Sequence, residues 1–394
     1  MSSTSSAPIV DIHTHIYPPS YIELLKSRDE IPYIRQFPPA QEHRLVILPA
    51  EDTPSTSRGR PIGPEYYDIS QRIAFMNTHS IRTSIISLAN PWLDWLPPST
   101  ALATALTLNT EINDLCTLHP TRLYFFGALP LSAPAPSILT AITHLQTLPH
   151  CRGVILGTTG LGSGLDDPSL LPVLAALSTA HLPLFLHPHY GLPTSVFGPR
   201  AAESGHVLPL ALGFPLETTI AVTRMVLAGV FDAVPELQVL LAHSGGTLPF
   251  LAGRIESCIL HDGHLKAGGR LAGGRTTIWE ILKRNVWLDA VVYGDVGVRG
   301  AVGVSGADRV MFGTDAPFFP PLDEEEEEEG EEGVEGKEAD QEKGQKGKRW
   351  LSVQLNLDAI SKACGAGSEE EKAILGGNAI RLFGLDLPTE GTST

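Results

Sequence analysis

Two histidines two residues apart, His13 and His15, follow the short apolar run Ile9-Val10-Asp11-Ile12. In an extended strand, residues i and i+2 project from one face. The two imidazoles therefore point the same way, near enough to share a metal ion, and imidazole is the commonest protein ligand for zinc and related transition ions. Other polar residues also close apolar runs: Asn90 after 82–88, His187 and His189 after 182–186, His243 after 237–242 and Asp315 after 309–314. His13, His15, His187 and Asp315 make three imidazoles and a carboxylate, a set suited to one divalent transition ion with a place left for water or substrate. The mixed nitrogen and oxygen donors, with no cysteine near them, favour Zn2+, with Mn2+ as the competitor. His187 is preferred to His189 because it ends the apolar run. His261 and His264 have ligand-like spacing but read as surface residues in a Gly-rich loop.

These side chains need a scaffold that brings them together. Eight apolar runs read as strands, at 9–15, 82–88, 123–127, 153–157, 182–187, 237–243, 286–292 and 309–315. Helical spacing falls between them, at 68–80, 99–118, 138–148, 170–180, 217–229, from about 248, and at 296–304. Continuous apolar strands alternating with helices specify a parallel sheet covered by helices. Eight such units specify an α/β fold of the (β/α)8 TIM barrel type with loop insertions, whose active site lies where the strands end. That rule directs every strand-end residue named above into one mouth. Pro18-Pro19 reads as a stop to regular structure, and 45–48 as a small extra strand.

The chain has 394 residues and a net charge of −16, of which 323–349, with 13 acidic and 5 basic side chains, contributes −8. That segment reads as a disordered, solvated acidic insertion. The expected organisation is a barrel over 1–322, the insertion at 323–349, and C-terminal helices at 350–394, with one near 368–384, completing the barrel domain. The remaining charge is only moderately acidic, which argues against nucleic acid or an anionic membrane as partner. No apolar run reads as long enough to cross a bilayer, and the serine-rich N-terminus lacks the pattern of a signal peptide. Four dispersed cysteines form no disulfide framework. The expectation is a cytoplasmic protein with reduced thiols.

Asp11-Ile12-His13-Thr14-His15, the histidine ending strand five, Ala242-His243-Ser244-Gly245-Gly246 and Gly313-Thr314-Asp315 resemble the amidohydrolase superfamily. More narrowly, Ser87-Leu88-Ala89-Asn90-Pro91-Trp92 and the segments 185–193, 206–215 and 241–250 are similar to its decarboxylase branch, and within it to the fungal uracil-5-carboxylate (isoorotate) decarboxylases. The resemblance covers about 8 to 322 and resumes after 350. It implies His13, His15, His187 and Asp315 as ligands of one metal ion per subunit, and His243 beside the ion as acid/base or substrate contact. It implies Asn90, Arg254 and Phe318 as substrate-binding residues, with Arg254 near an interface of a homodimer or homotetramer. Two-metal members carry a lysine at the end of strand four. Here that strand runs into Leu156-Gly157-Thr158-Thr159, which favours one ion. Ala316 departs from the larger residue expected beside the aspartate.

The implied reaction is a non-oxidative decarboxylation of uracil-5-carboxylate to uracil and CO2, in thymine and pyrimidine salvage. A metal held by the carboxylate and the adjacent carbonyl would orient the substrate, and a nearby acid would protonate the ring carbon. Asp315 serves as that acid if burial raises its pKa, and His243 is the competing candidate. A salicylate- or resorcylate-type acid is the alternative substrate. A metal-dependent hydrolase of a lactone or cyclic amide is a rival reaction, and a non-catalytic binding barrel a rival class.

Overall fold

The computed structural model describes residues 7–38, 42–54, 58–160, 164–188, 191–269, 274–321 and 349–387. Eight parallel strands follow one another around a barrel: β1 (Ile9–Ile16), β2 (Ile81–Leu88), β3 (Leu123–Ala128), β4 (Cys151–Gly157), β5 (Leu184–His187), β6 (Val239–Leu241), β7 (Val286–Asp289) and β8 (Val310–Met311). The last strand returns to the first. Ile12 N donates to Phe312 O at 3.1 Å, Asp315 N to His13 O at 2.7 Å, and His15 N to Ala316 O at 2.8 Å. These bonds close a (β/α)8 barrel, the fold the spacing of apolar runs specifies.

Both faces of each strand are buried, which is why the sequence shows unbroken apolar runs rather than alternation. Ile85, Phe126, Ile155, Phe185, Leu240, Trp287 and Met311 pack in one cluster inside the barrel. Their neighbours Ile86, Phe125, Val154, Leu186, Leu241, Leu288 and Phe312 pack outward against the helices. The period of two along each strand thus divides one apolar run between two cores.

Several boundaries differ from the sequence reading. Pro19 does not stop structure but opens the helix Pro19–Lys26; its fixed φ and missing N–H suit the first helical turn, where no intrahelical donor is needed. The small strand is His43–Val46, the centre of a three-stranded antiparallel sheet with Tyr33–Gln36 and Arg60–Pro61. β7 stops at Asp289 rather than 292, because the Asp289 carboxylate takes the Val291 N–H at 3.0 Å. One helix absent from the sequence reading, Ile278–Arg284, covers the barrel, and Leu351–Cys364 falls within the C-terminal helices expected at 350–394. The helix expected near 368–384 is divided into Glu369–Lys372, a wider turn at Ala373–Gly377, and Asn378–Phe383.

His261 ends the helix Leu248–His261 and His264 lies in Gly263–Ala267, so both are helical rather than in a loop, and both are exposed as expected. Pro209–Leu227 forms a 19-residue helical stretch long and apolar enough to cross a membrane by length and composition, contrary to the sequence reading. In this fold it lies on the barrel, burying Ala221, Val222, Met225 and Val226. The C-terminal segment belongs to the same body: Asn378 Nδ2 donates to Val310 O at 2.7 Å, and the Phe383 and Phe126 rings lie 5.4 Å apart. The acidic segment at 322–348 and His189 lie outside the described residues.

Candidate metal centre and substrate pocket

His13 and His15 project from β1 at a bulge, where the pairing register with β2 shifts between Asp11 and Thr14. A bulge inserts an extra residue and re-aims the side chains beside it. The imidazole centroids lie 5.1 Å apart and nearly perpendicular. His187 ends β5, with its ring 5.0 Å from His13 and 4.9 Å from His15. Asp315 follows β8 across a chain crossing that only glycine permits: a Cβ on Gly313 would stand 2.6 Å from the His13 Cβ. Asp11, buried under this crossing, accepts from Thr314 Oγ1 at 2.7 Å and Thr314 N at 3.1 Å, which holds the Asp315 backbone at a left-handed φ of 57°. Burial pushes the Asp11 carboxyl up to about 6.

One ligand atom from each of His13, His15, His187 and Asp315 lies within 4.8 Å of the others, and all four residues are buried. The partners of the remaining ring nitrogens define the arrangement. His13 Nδ1 bonds Asp289 Oδ2 at 2.6 Å, His15 Nδ1 bonds Ser87 Oγ at 3.0 Å, and His187 Nδ1 donates to Pro188 O at 2.8 Å. The Nε2 atoms of all three are buried without a hydrogen-bond partner and face one another. Metal-ligating histidines characteristically engage their other ring nitrogen in this way, leaving one lone pair aimed at the ion. The donor set fits one divalent transition ion.

The electrostatics agree. Burial pushes His15 down to about 4, and burial with the charge of neighbouring imidazoles holds His187 well below the usual range, so both are neutral ligands. Burial also disfavours charge on His13, but Asp315 and Asp289 reverse that and push it up to about 10. Asp315 differs from the sequence expectation. Burial acts to raise it, yet His13 at 3.2 Å, His15 at 3.4 Å and His243 at 3.6 Å hold it well below the usual carboxylate range. The carboxylate is ionised because imidazoles surround it.

His243 lies just beyond β6, half-buried, with Nε2 toward Asp315 Oδ2 and its ring 5.1 Å from His187. Phe318 stands over the cluster, 5.4 Å from the His15 ring. Asn90 follows β2 at the same mouth. Arg254 is not brought there: it is exposed on the helix Leu248–His261. The pocket holds a cation that sequence reasoning missed. Arg60, from the small three-stranded sheet, donates to Asn90 O at 2.8 Å and Asn90 Oδ1 at 3.1 Å, bonds the Tyr17 hydroxyl, and stacks 4.7 Å from the Phe318 ring centroid. Arg60, in Arg58-Gly59-Arg60-Pro61, carries no sequence signature, so no local signal could have found it. Asp289 was also missed; it is a polar residue ending an apolar strand, and the strand-end rule selects it once β7 is cut short.

Fold and site together define a (β/α)8 barrel with a candidate metal site of three histidines and one aspartate at the mouth formed by its strand ends. The amidohydrolase family model matches residues 10–385, and the chain belongs to that family. It is 28% identical over 322 residues, 80% of this chain and 82% of the relative, to 2-amino-3-carboxymuconate-6-semialdehyde decarboxylase of Dictyostelium discoideum. The apo crystal structure of Metarhizium anisopliae IDCase shares 53% identity with a TM-score of 0.87, covering 96% of this chain and 97% of that one. A manganese-bound dihydroxybenzoic acid decarboxylase from Polaromonas sp. JS666 shares the fold at 21% identity and a TM-score of 0.66, over 96% and 97% of the two chains.

Proposed function

We propose that this protein is a metal-dependent, non-oxidative decarboxylase that converts uracil-5-carboxylate to uracil and CO2. The observation that carries the reading is the pocket itself: three unpartnered imidazole Nε2 atoms and an ionised carboxylate beneath an arginine, an asparagine and a phenylalanine ring. The 53% identity to Metarhizium anisopliae IDCase over nearly the whole of both chains supports it. The donor set of three imidazoles and a carboxylate favours Zn2+, with Mn2+, bound in the Polaromonas structure, as the alternative.

When bound by His13, His15, His187 and Asp315, the ion would neutralise the substrate carboxylate and the carbonyl beside it. Arg60 supplies a fixed positive charge for a ring oxygen, and its bonds to Asn90 and Tyr17 keep the guanidinium in place. Phe318 covers one face of the ring. The substrate carboxylate, arriving beside Asp315, raises the proton affinity of that side chain. His243, half-buried at the pocket wall with Nε2 3.6 Å from Asp315, passes it a proton from solvent. Asp315 then protonates the ring carbon that bears the carboxyl group. The new C–H bond makes that carbon saturated; the C–C bond to the carboxylate breaks, CO2 departs, and its electron pair restores the ring double bond.

Arg254 shares its helix with Phe250, whose side chain is 90% exposed, and Trp279 packs beside Gly253. We propose that this face pairs two copies in a homodimer, or within a homotetramer, and that Arg254 reaches the partner's pocket. The protein acts in pyrimidine salvage in the cytoplasm, without nucleic-acid or membrane partners.

The test is to incubate metal-loaded protein with uracil-5-carboxylate, with and without chelator pretreatment, and to quantify uracil by chromatography and CO2 in the headspace. Uracil and CO2 in equal amounts, formed only without chelator, are expected. No product from metal-loaded protein moves the assignment to 2,6-dihydroxybenzoate-type acids, and water incorporation without CO2 moves it to a hydrolase.

A further inference from the structure

Asp289 ends β7 completely buried, beneath the metal centre and outside the pocket. Four N–H groups converge on its carboxylate. Oδ2 takes His13 Nδ1–H at 2.6 Å and the His243 backbone N–H at 2.9 Å. Oδ1 takes the Ser244 backbone N–H at 2.7 Å and that of Val291 at 3.0 Å. The Ser244 hydroxyl donates to the Asp289 carbonyl at 2.8 Å. One side chain thus joins the β1 ligand His13 to the turn after β6 that carries His243.

Both residues of that turn are strained. His243 and Ser244 have φ of 54° and 53°, the left-handed region that non-glycine residues avoid because Cβ crowds the backbone there. Two successive left-handed non-glycine residues turn their N–H groups to one side, where the two oxygens of the Asp289 carboxylate accept them. Charge-assisted bonds are about twice as strong as neutral ones, so the carboxylate can hold a conformation a neutral acceptor would not.

We propose that Asp289 is a positioning residue with two linked tasks: it keeps the proton of His13 on Nδ1, so that the Nε2 lone pair faces the metal, and through the His243 and Ser244 N–H groups it sets the height of the His243 ring beside Asp315. The inference rests on the metal-centre reading above but not on the identity of the substrate. The centre and the acid/base residue are therefore registered against each other through the floor of the site rather than through the pocket.

Asp289→Asn separates this from a merely structural role. An amide has one acceptor oxygen for four donors. With that oxygen toward Ser244 and Val291, its NH2 faces His13 Nδ1, and the imidazole must take the opposite tautomer, with hydrogen on Nε2. The His243 N–H, which shares Oδ2 with His13, loses its acceptor as well; in the other orientation it is the Ser244 and Val291 N–H groups that face the NH2, so either way the turn loses one of its two acceptors. Zinc affinity, measured by competition with a chromophoric chelator, should fall roughly 10- to 100-fold in Asp289→Asn. The near-ultraviolet circular dichroism should be retained, and kcat should fall more than KM changes. Equal zinc affinity in a folded Asp289→Asn protein overturns the inference and leaves the metal centre standing, whereas wild-type protein that takes up neither zinc nor manganese overturns the metal reading itself. Should the variant fail to fold, zinc-loaded wild-type protein labelled with 15N-histidine, assigned with His13→Asn, decides the matter. A proton on His13 Nδ1 with Nε2 on the metal supports the proposal, and the reverse tautomer refutes it.

Discussion

In the metal-free site, a proton on His13 occupies the place of the ion. His13 is pushed up to about 10, although burial opposes its charge, because Asp315 and Asp289 flank it; His15 is pushed down to about 4, His187 lies lower still, and Asp315 is ionised. At neutral pH only one of the four ligands therefore carries a proton that the ion must displace. The sign follows directly. Protonated His13 competes with metal, so apparent affinity should rise about tenfold per pH unit below the His13 pKa, each unit being about 1.4 kcal/mol. At pH 7 the proton on His13 therefore lowers the apparent affinity relative to a deprotonated site. Isothermal titration of zinc into apo-protein in buffers of different ionisation enthalpy should report about one proton released per ion. A chelator-competition series from roughly pH 6.5 to 8.5 should give a slope near one. Zero protons released together with pH-independent affinity would falsify the assignment of the proton to His13, and release of three would mean that His15 and His187 are not held neutral.

Other consequences can be measured separately. Arg60→Ala removes a charged donor from the pocket, which is worth about 1.5–3 kcal/mol; KM for uracil-5-carboxylate should rise at least tenfold while bound metal per chain stays unchanged, and loss of metal would show that Arg60 supports the centre instead. Phe185→Ala opens a cavity under His13, from a ring that is 0% exposed and 5.1 Å from that imidazole. It should cost about 3–5 kcal/mol in denaturant unfolding of the apo-protein, and a loss below about 1 kcal/mol would contradict the packing described. Arg254→Ala and Asp315→Asn should each be inactive alone, yet regain activity when the two are unfolded and refolded together, because a mixed dimer holds one intact pocket. No recovery in confirmed mixed dimers would place Arg254 outside the partner's site.

Much of this was legible in the sequence because it depends on local periodicity. Eight apolar runs, each buried on both faces, specify the barrel, and the barrel rule then turns His13, His15, His187, His243 and Asp315 into one constellation before any coordinate is known. Asn90 comes to the same mouth for the same reason, whereas Phe318 was expected there only from the family resemblance. The boundaries were less legible: Pro19 opens a helix instead of ending structure, and β7 stops at Asp289 because that carboxylate captures backbone donors a strand would use. Tertiary structure alone decided the rest. Arg60 enters the pocket through the packing of a small antiparallel sheet over the barrel mouth, and nothing in its neighbours marks it. Asp289 meets His13 across 276 residues of chain. The pKa values of Asp315 and His13 are set by groups that converge from β1, from the turn after β6, from β7 and from the end of β8, so residue type could suggest burial but not which charge prevails. Sequence determines which side chains stand at strand ends; the closing of the barrel decides which of them touch, and that contact sets their charge.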